Sequence, residues 1–415
     1  MLEIIPEGHW CCSASDPQLI AKMLNLDGME VDSVERDPDK EAFYFNLFHS
    51  VHTANCPTCS KSSRLIHESK PRTVRDLHAH GFACYLQFAA RRFYCKECRL
   101  PFTETLGWLP PCGRLTHRFR EHLFEECRQT SLKAVAERER IGYKTLERLY
   151  YALADRQIRQ SQKSLVSRLG VDEISLLKGH GHFVLMIYDL DKGKVIDVLP
   201  DRKKETLQQY LKSWSQDRRD AVTEVSMDLW EPYALAVREC LPQAKIVADR
   251  FHVTKLLTEQ VGLCRREIQR NLSDDEKKEF KDCRWLLVRN EKDLSGEEKS
   301  RLGIIFKKAP SLETLHTLKE EFRSIYESEH TLETAGNELR LWINRVKESG
   351  LKKLDRFLGT LHSRWEDILN YFNTRLTNGA GEGLNNKSKV IKRTAYGYRN
   401  VEHFSARILI ECDGR

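Results

Sequence analysis

Apolar and polar positions alternate along this chain with two different periods, and the changes between them divide it into regions. Near the start, Pro17 to Leu26 has the three-and-four spacing of a helix, and VDSVERD and EAFYFNLFHSVH then alternate as strands do. Tyr85 to Tyr94 alternates again, in the manner of a hairpin strand. Pro110-Pro111 marks a boundary, after which Thr116 to Ile158 is helical. From Leu169 the period returns to two. GVDEISLL, HFVLMIYDL and KVIDVLP read as three strands joined by tight turns at Gly179–His182 and Asp191–Gly193. A helix over Lys203–Trp214, a strand ending in SMDLW, a helix over Pro232–Cys240 and the strand KIVAD follow. Residues 254–372 are helical and charge-rich, with Trp285, Trp342 and Trp365 as expected core residues. A run of about 120 residues is far too long for a connection, so an inserted helical domain is expected. The last region, Asn378 to Asn400, opens on the turn residues Asn378-Gly379 and Gly381 and continues with helical spacing.

Three meandering strands, a helix, a strand, a helix and a strand is the order of a ribonuclease-H-like sheet. In that layout the first and fourth strands are neighbours. Asp172 on the first and Asp228 at the end of the fourth therefore share the sheet centre, and Asp249, ending the fifth, is a third acid nearby. Glu173 faces the opposite way, because adjacent strand residues do. In the last region Glu382, Asn386, Lys389 and Arg393 fall in one narrow helical sector, with Leu384 and Ile391 on roughly the other side. An acid in line with an amide and two cations can hold a divalent cation while its neighbours take phosphates. Lys387 and Lys392 are less well aligned. Trp230 can stack on a displaced base or sit under the sheet as core, and His180 and His182 read as a polar hairpin loop.

Cysteine spacing adds a second kind of chemistry. Cys56-Pro57-Thr58-Cys59 and Cys95-Lys96-Glu97-Cys98 are two CxxC knuckles, and four thiolates presented this way suit Zn²⁺. The linker between them is longer than a usual ribbon's, and His78, His80 and Cys84 lie close enough in sequence to be rival ligands. Arg91, Arg92, Lys96 and Arg99 around the second knuckle suggest DNA contact. Within the helical stretch that follows, Ser131 caps a short helix, Ile141-Gly142-Tyr143 makes a turn and Lys144–Leu153 forms a second helix. Leu132, Val135 and Ala136 would pack on Ile141, Leu146 and Leu149, leaving Lys144, Thr145 and Arg148 for a groove.

Composition narrows the class of protein. The chain has 415 residues, 40% hydrophobic and 31% charged, enough for two to four domains. No apolar run approaches the roughly 18 residues of a membrane span, and MLEIIPEGHWCC lacks a basic n-region before an apolar core. Thirteen cysteines without a secretion signal point to a reducing, cytosolic setting and to metal binding rather than disulfides. The net charge of +7 is concentrated in residues 61–120 and 383–400, the footprint of a polyanion partner.

The motifs CPTC and CKEC, GVDEISLLKGHGH, DVLPDR, SMDLWEPY, VADRFHV, LTNGAGEGLNNKSKVIKRTAYGYRN and the closing RILI, spread over residues 56 to 410, resemble those of ISL3-family insertion-sequence transposases, in the family's order. The resemblance implies an α+β multidomain chain. Residues 1–110 would hold a zinc finger and 111–165 a helix-turn-helix. A ribonuclease-H-like core over 166–253 and 373–415 would be interrupted by the all-helical insertion 254–372. It implies DDE chemistry carried by Asp172, Asp228 and Glu382 on two Mg²⁺ (or Mn²⁺) ions, with Asp249 as a supporting acid, one structural Zn²⁺, and double-stranded DNA as partner, both terminal inverted repeats and target. Two ends must be cut together, so a homodimer on paired ends is expected. ECDGR, beyond the resemblance, reads as a simple tail. A DNA-binding regulator whose core no longer cuts, and a structure-specific nuclease that cuts without joining, are the competing readings.

Overall fold

The computed structural model describes residues 16–161, 164–176, 183–270, 273, 277, 280, 282–398 and 400–413. The loop expected at Gly179–His182, with His180 and His182, lies outside them. Two compact units divide the chain, residues 1–153 and 154–415.

In the first unit β1 (Met29–Asp37), β2 (Ala42–His49), β5 (Ile66–Ala79), β6 (Phe82–Cys95) and β7 (Leu100–Thr103) form a five-stranded sheet in the order β1-β2-β6-β5, with β7 on β6. β5 and β6 are joined through His80-Gly81 alone, with φ of 49° and 82°, the two-residue geometry that matches strand twist. The short ribbon β3 (Ala54–Asn55) and β4 (Ser62–Ser63) lies beside the far end of β6. Helix α2 (His117–Gln129) is capped by Thr116, whose hydroxyl oxygen accepts from Phe119 N while its hydrogen goes to buried Asp76 at 2.7 Å. Ser131 caps α3 (Leu132–Arg138), as its sequence position predicts, and α4 (Tyr143–Ser161) follows after the four residues 139–142. Val135, Ala136, Leu146 and Leu149 are buried at the contact, whereas Leu132 and Ile141 are only half-buried.

The second unit is built on the sheet β10-β9-β8-β11-β12, comprising β8 (Arg168–Ser175), β9 (Phe183–Asp189), β10 (Lys194–Leu199), β11 (Glu224–Met227) and β12 (Lys245–Ala248). The first three are antiparallel and β11 runs parallel to both β8 and β12. The first and fourth strands are thus neighbours, as expected. Along β9 Leu185 and Ile187 join the core under α5 (Lys204–Lys212) and α7 (Glu231–Cys240), while Val184, Met186 and Tyr188 face Ile391, Phe404 and Ile408 of the two last helices. The sheet is covered on both faces, so β9 reads as an unbroken apolar run.

Beyond β12, α8 (Arg250–Arg270) leads into a wholly helical stretch ending at Thr374 among the described residues. Its core gathers around fully buried Trp342, whose indole N–H donates to Leu318 O at 2.8 Å, with Phe322 and Phe357 against it. Trp365 is half-buried on the same core, but Trp285 is 59% exposed, contrary to the expectation that all three tryptophans are core. Its short helix turns Leu286 and Leu287 inward and leaves Trp285 on the outer side.

Two further expectations fail. Gly379 and Gly381 are not turn residues; they form the first turn of the helix Gly379–Thr394. Glycine at 381 answers to space, since a Cβ there would lie 2.2 Å from Asn378 Oδ1. Nor is ECDGR a simple tail. Glu411 ends the helix Val401–Glu411, Cys412 is buried, and its carbonyl accepts from Val195 N at 3.1 Å on the edge strand β10.

Candidate active site and zinc ribbon

Strand register places three acids in a row. Val171 pairs with Met227, and Met227 with Ala248, on three neighbouring parallel strands. Asp172, Asp228 and Asp249 are each the next residue. Strands lie about 4.8 Å apart, so the three residues follow one another across the sheet centre at about that backbone spacing. Burial, with Asp228 and Asp249 adding to it, holds the Asp172 carboxyl above its ordinary range; the Glu173 N–H, bonded at 2.7 Å to Asp172 Oδ1, and nearby His252 oppose that. Asp228 Oδ1 accepts from Trp230 N at 2.9 Å. Asp249, 3% exposed, bonds His252 Nδ1 at 3.0 Å, and this bond raises the imidazole's pKa.

The helix Gly379–Thr394 is fastened to this row on either side of Glu382. Before it, Asn378 N donates to Asp249 Oδ1 at 3.5 Å. After it, Asn385 Nδ2 donates to Asp172 Oδ2 at 2.7 Å, and Asn385 Oδ1 accepts from the buried Tyr188 hydroxyl. Glu382 itself is half-buried, and the carboxylates of Asp172, Asp228 and Glu382 do not all lie within 4.8 Å of one another. Asn386, Lys389 and Arg393 are exposed along the same helix. Lys392 turns in to Ser175 O at 2.9 Å and Lys387 to Glu411 O. Sequence reasoning singled out Asn386 and missed Asn385, His252 and Tyr188. The helical sector that contains Glu382 points to Asn386, and only the buried Tyr188 on the next strand reveals why its neighbour matters.

Glu173 faces away from Asp172, as its strand position requires, toward Arg202 at 3.4 Å; burial raises its carboxyl too. Arg202 also covers Trp230, 4.8 Å from the ring centre, and Phe183 at 4.3 Å. Trp230 is half-buried on the core and packs on Tyr233.

In the first unit the sulfurs of Cys56, Cys59, Cys95 and Cys98 all lie within 4.8 Å of one another. Cys56 to Cys98 is 3.9 Å and Cys59 to Cys95 is 3.5 Å. Zn–S bonds of about 2.3 Å in a tetrahedron give edges of about 3.8 Å, so the four thiols fit the ion. Backbone N–H groups of Cys59 and Thr58 bring the Cys56 thiol down to about 6, whereas the other thiols, Cys59 first, push Cys98 up to about 12. Four crowded sulfurs cannot all ionise without a cation among them. The rival ligands are elsewhere. His80 is at the β5–β6 turn and Cys84 is buried in the main sheet core. His78 Nε2 sits 3.3 Å from Glu139 and 3.0 Å from Arg75, with His122 close by. Arg75 and Arg138 flank buried Glu139, making this an ion-pair network that ties α2 and the end of α3 to β5.

Arg91 cannot meet DNA. It is 6% exposed, its guanidinium grips Glu104 in a bidentate pair, with Nη2 to Oε2 at 2.6 Å, and Nη1 donates to Val51 O. Arg92, Lys96 and Arg99 are exposed, as are Lys144, Thr145 and Arg148 on the first turns of α4.

Comparison with known families agrees with this anatomy. Residues 169–408 match the ISL3 family model of DDE type, described as a transposase. The chain belongs to the ISL3 family of transposases. Residues 52–98 of this ISL3-family chain match the zinc-finger of transposases of IS204, IS1001, IS1096 and IS1165, and residues 104–154 the helix-turn-helix domain of the ISL3 transposases. It is 28% identical over 400 residues to the transposase for insertion sequence element IS1001 of Bordetella parapertussis, covering 95% of this chain and 97% of that one. The transposase for element IS1557 of Mycobacterium tuberculosis is 25% identical over 367 residues, 83% of this chain and 82% of that one. As a transposase with a helix-turn-helix domain the chain binds DNA, and its cysteine cluster matches the family's zinc finger. Among the described residues no helix is long and apolar enough to cross a membrane.

Proposed function

We propose that this transposase binds the terminal inverted repeats of its own insertion sequence, hydrolyses the end phosphodiesters to free 3′-OH groups, and joins those to target DNA. The observation that carries the reading is the row Asp172, Asp228, Asp249 with the Glu382 helix fastened to both of its ends by Asn378 and Asn385. The sheet order supports reading the unit as a ribonuclease-H-like core with the helical residues 254–372 as its insertion, so that Glu382 shares a site with residues far back in the chain.

A desolvated carboxylate beside two others is a hard-oxygen donor set with excess negative charge, the environment that suits Mg²⁺ or Mn²⁺. Asp172, Asp228 and Glu382 would hold two such ions, which when bound activate the attacking oxygen and stabilise the leaving one. The protein's own groups do the rest. Asp249 favours the charged form of His252 and holds it in place at the edge of the row, and Asn385 keeps Asp172 aimed. Lys389 and Arg393 grip phosphates flanking the scissile bond, with Asn386 beside them. Lys144, Thr145 and Arg148 on α4 read the ends, and Arg92, with Lys96 and Arg99, adds backbone contacts. One Zn²⁺ on Cys56, Cys59, Cys95 and Cys98 is structural. Water and the DNA 3′-OH are the only nucleophiles, so no covalent enzyme–DNA bond forms. Two ends cut together require two active sites, so a homodimer assembles on paired ends, in the cytoplasm where the element's DNA lies.

Incubation with Mg²⁺ and labelled inverted-repeat DNA from the flanks of the gene, followed by mapping of nicks and joined products, tests this. Cleavage and strand transfer are expected, and Asp172→Asn, Asp228→Asn and Glu382→Gln should each abolish both. End binding without cleavage would make the protein a regulator, and cleavage without joining a nuclease.

A further inference from the structure

Along α8 the acid site uses only the first turn. From that same turn onward, Phe251, Lys255, Thr258, Gly262 and Arg266 recur every three or four residues and therefore share a face. That face lines a groove of about 700 Å³ whose other side carries Arg284 and Arg356. Lys255, Arg265, Arg266, Arg284 and Arg356 line it against the single acid Glu259 among the described residues. Two aromatics stand in water here: Phe251, 52% exposed, in the lining, and Trp285, 59% exposed, under the Arg284 guanidinium at 5.2 Å. An exposed aromatic under a guanidinium holds that cation in place at the groove. Four of the five cations are arginines, whose planar forks match phosphate oxygens. From Phe251 to Arg266 the helix rises about 22 Å, the length of six to seven phosphate steps. Its start adjoins Asp249, so the groove leads away from the acid row.

We propose that this groove holds the phosphate backbone of the DNA duplex leading into the acid site; the proposal rests on the DNA-cleaving reading above. Positive charge alone would equally attract an acidic protein segment, but four arginines with phosphate-matching forks lining one groove with Lys255 favour the nucleic acid.

The test uses the full-length protein carrying Arg266→Gln, Arg284→Gln and Arg356→Gln together, all at exposed positions, so folding is retained. Binding to a random-sequence duplex and to an inverted-repeat duplex is measured as a function of salt. Three lost phosphate contacts reduce the log–log salt slope by about 2.7, roughly 500-fold in affinity at 0.1 M salt relative to 1 M. Both duplexes should weaken equally, because backbone contacts carry no sequence, and the triple Arg→Lys variant should keep most of the slope. An unchanged slope in the glutamine variant overturns the proposal, as does a lysine variant that falls as far as the glutamine one. Wild-type cleavage of labelled ends, run alongside, tests the underlying reading separately: a groove variant that binds normally beside a wild type that cuts removes only the groove.

Discussion

Asn385 offers the sharpest test of how the site is held together. Asn385→Ala removes one hydrogen bond to a carboxylate, worth about 1.5–3 kcal/mol, and one from the Tyr188 hydroxyl, worth about 0.5–1.5 kcal/mol. The better helix propensity of alanine returns about 0.6 kcal/mol. The net loss is about 1.5–4 kcal/mol, and at about 2–4 °C per kcal/mol for a unit of this size the calorimetric transition should fall by roughly 3–16 °C. Tyr188→Phe separates the two bonds, since it removes only the hydroxyl and leaves Asn385 on Asp172; it should cost about 1 kcal/mol. The functional consequence is larger than the thermal one. With Asn385 gone, the helix is fastened to the acid row on one side of Glu382 only, and a displacement of about 1 Å costs on the order of 100-fold in rate. End cleavage in excess Mg²⁺ should therefore drop about 100-fold in Asn385→Ala and hold near wild type in Tyr188→Phe. An alanine variant that melts within about 1 °C of wild type, or that cleaves like Tyr188→Phe, would refute the role given to this side chain.

Three further outcomes follow from the geometry. Elemental analysis should find one zinc per chain, and none after Cys56→Ser with Cys98→Ser, with the 52–98 region then becoming susceptible to proteolysis. Arg91→Ala, which strands buried Glu104, should cost about 3–5 kcal/mol in a melting assay, whereas Arg92→Ala should change stability by less than about 0.5 kcal/mol and lower the salt slope of DNA binding by about 0.9. Because Asp249 raises His252 above 6.5, the stability this pair contributes is fully present below pH 6.5 and lost as pH rises through the raised value. Without added divalent cation, wild type should lose melting temperature across that window and His252→Gln should not; parallel curves would contradict the linkage.

Much of this was legible from local pattern. Alternation in GVDEISLL and the apolar runs of HFVLMIYDL and KIVAD announce strands, and their order places Asp172 beside Asp228 before any coordinates. Paired CxxC spacing picks out the four thiols for the same reason, since each knuckle is local. What failed depends on partners distant in sequence. Nothing near Arg91 says that Glu104 will bury it, and nothing near His78 tells of Glu139. Asn385 and Asn386 are equivalent by composition and differ only in which one meets Tyr188. Cys412 looks like tail until β10 is seen to need a partner for the Val195 N–H.

The position of Glu382, late in the chain, also bears on synthesis. The unit that carries the zinc ribbon and the helix-turn-helix ends at Leu153, while the acid row is not closed until the Gly379–Thr394 helix arrives. At 5–20 residues per second, translation of the intervening chain takes roughly 10–45 s. During that interval a nascent polypeptide has its DNA-binding parts and no complete active site. A product of premature termination would keep that condition permanently, occupying element ends without cutting them. On the proposed reading of end binding and cleavage, interrupted translation would thus yield a competitor of the full-length enzyme, and the rate at which ribosomes finish the message would bear on how often the element moves.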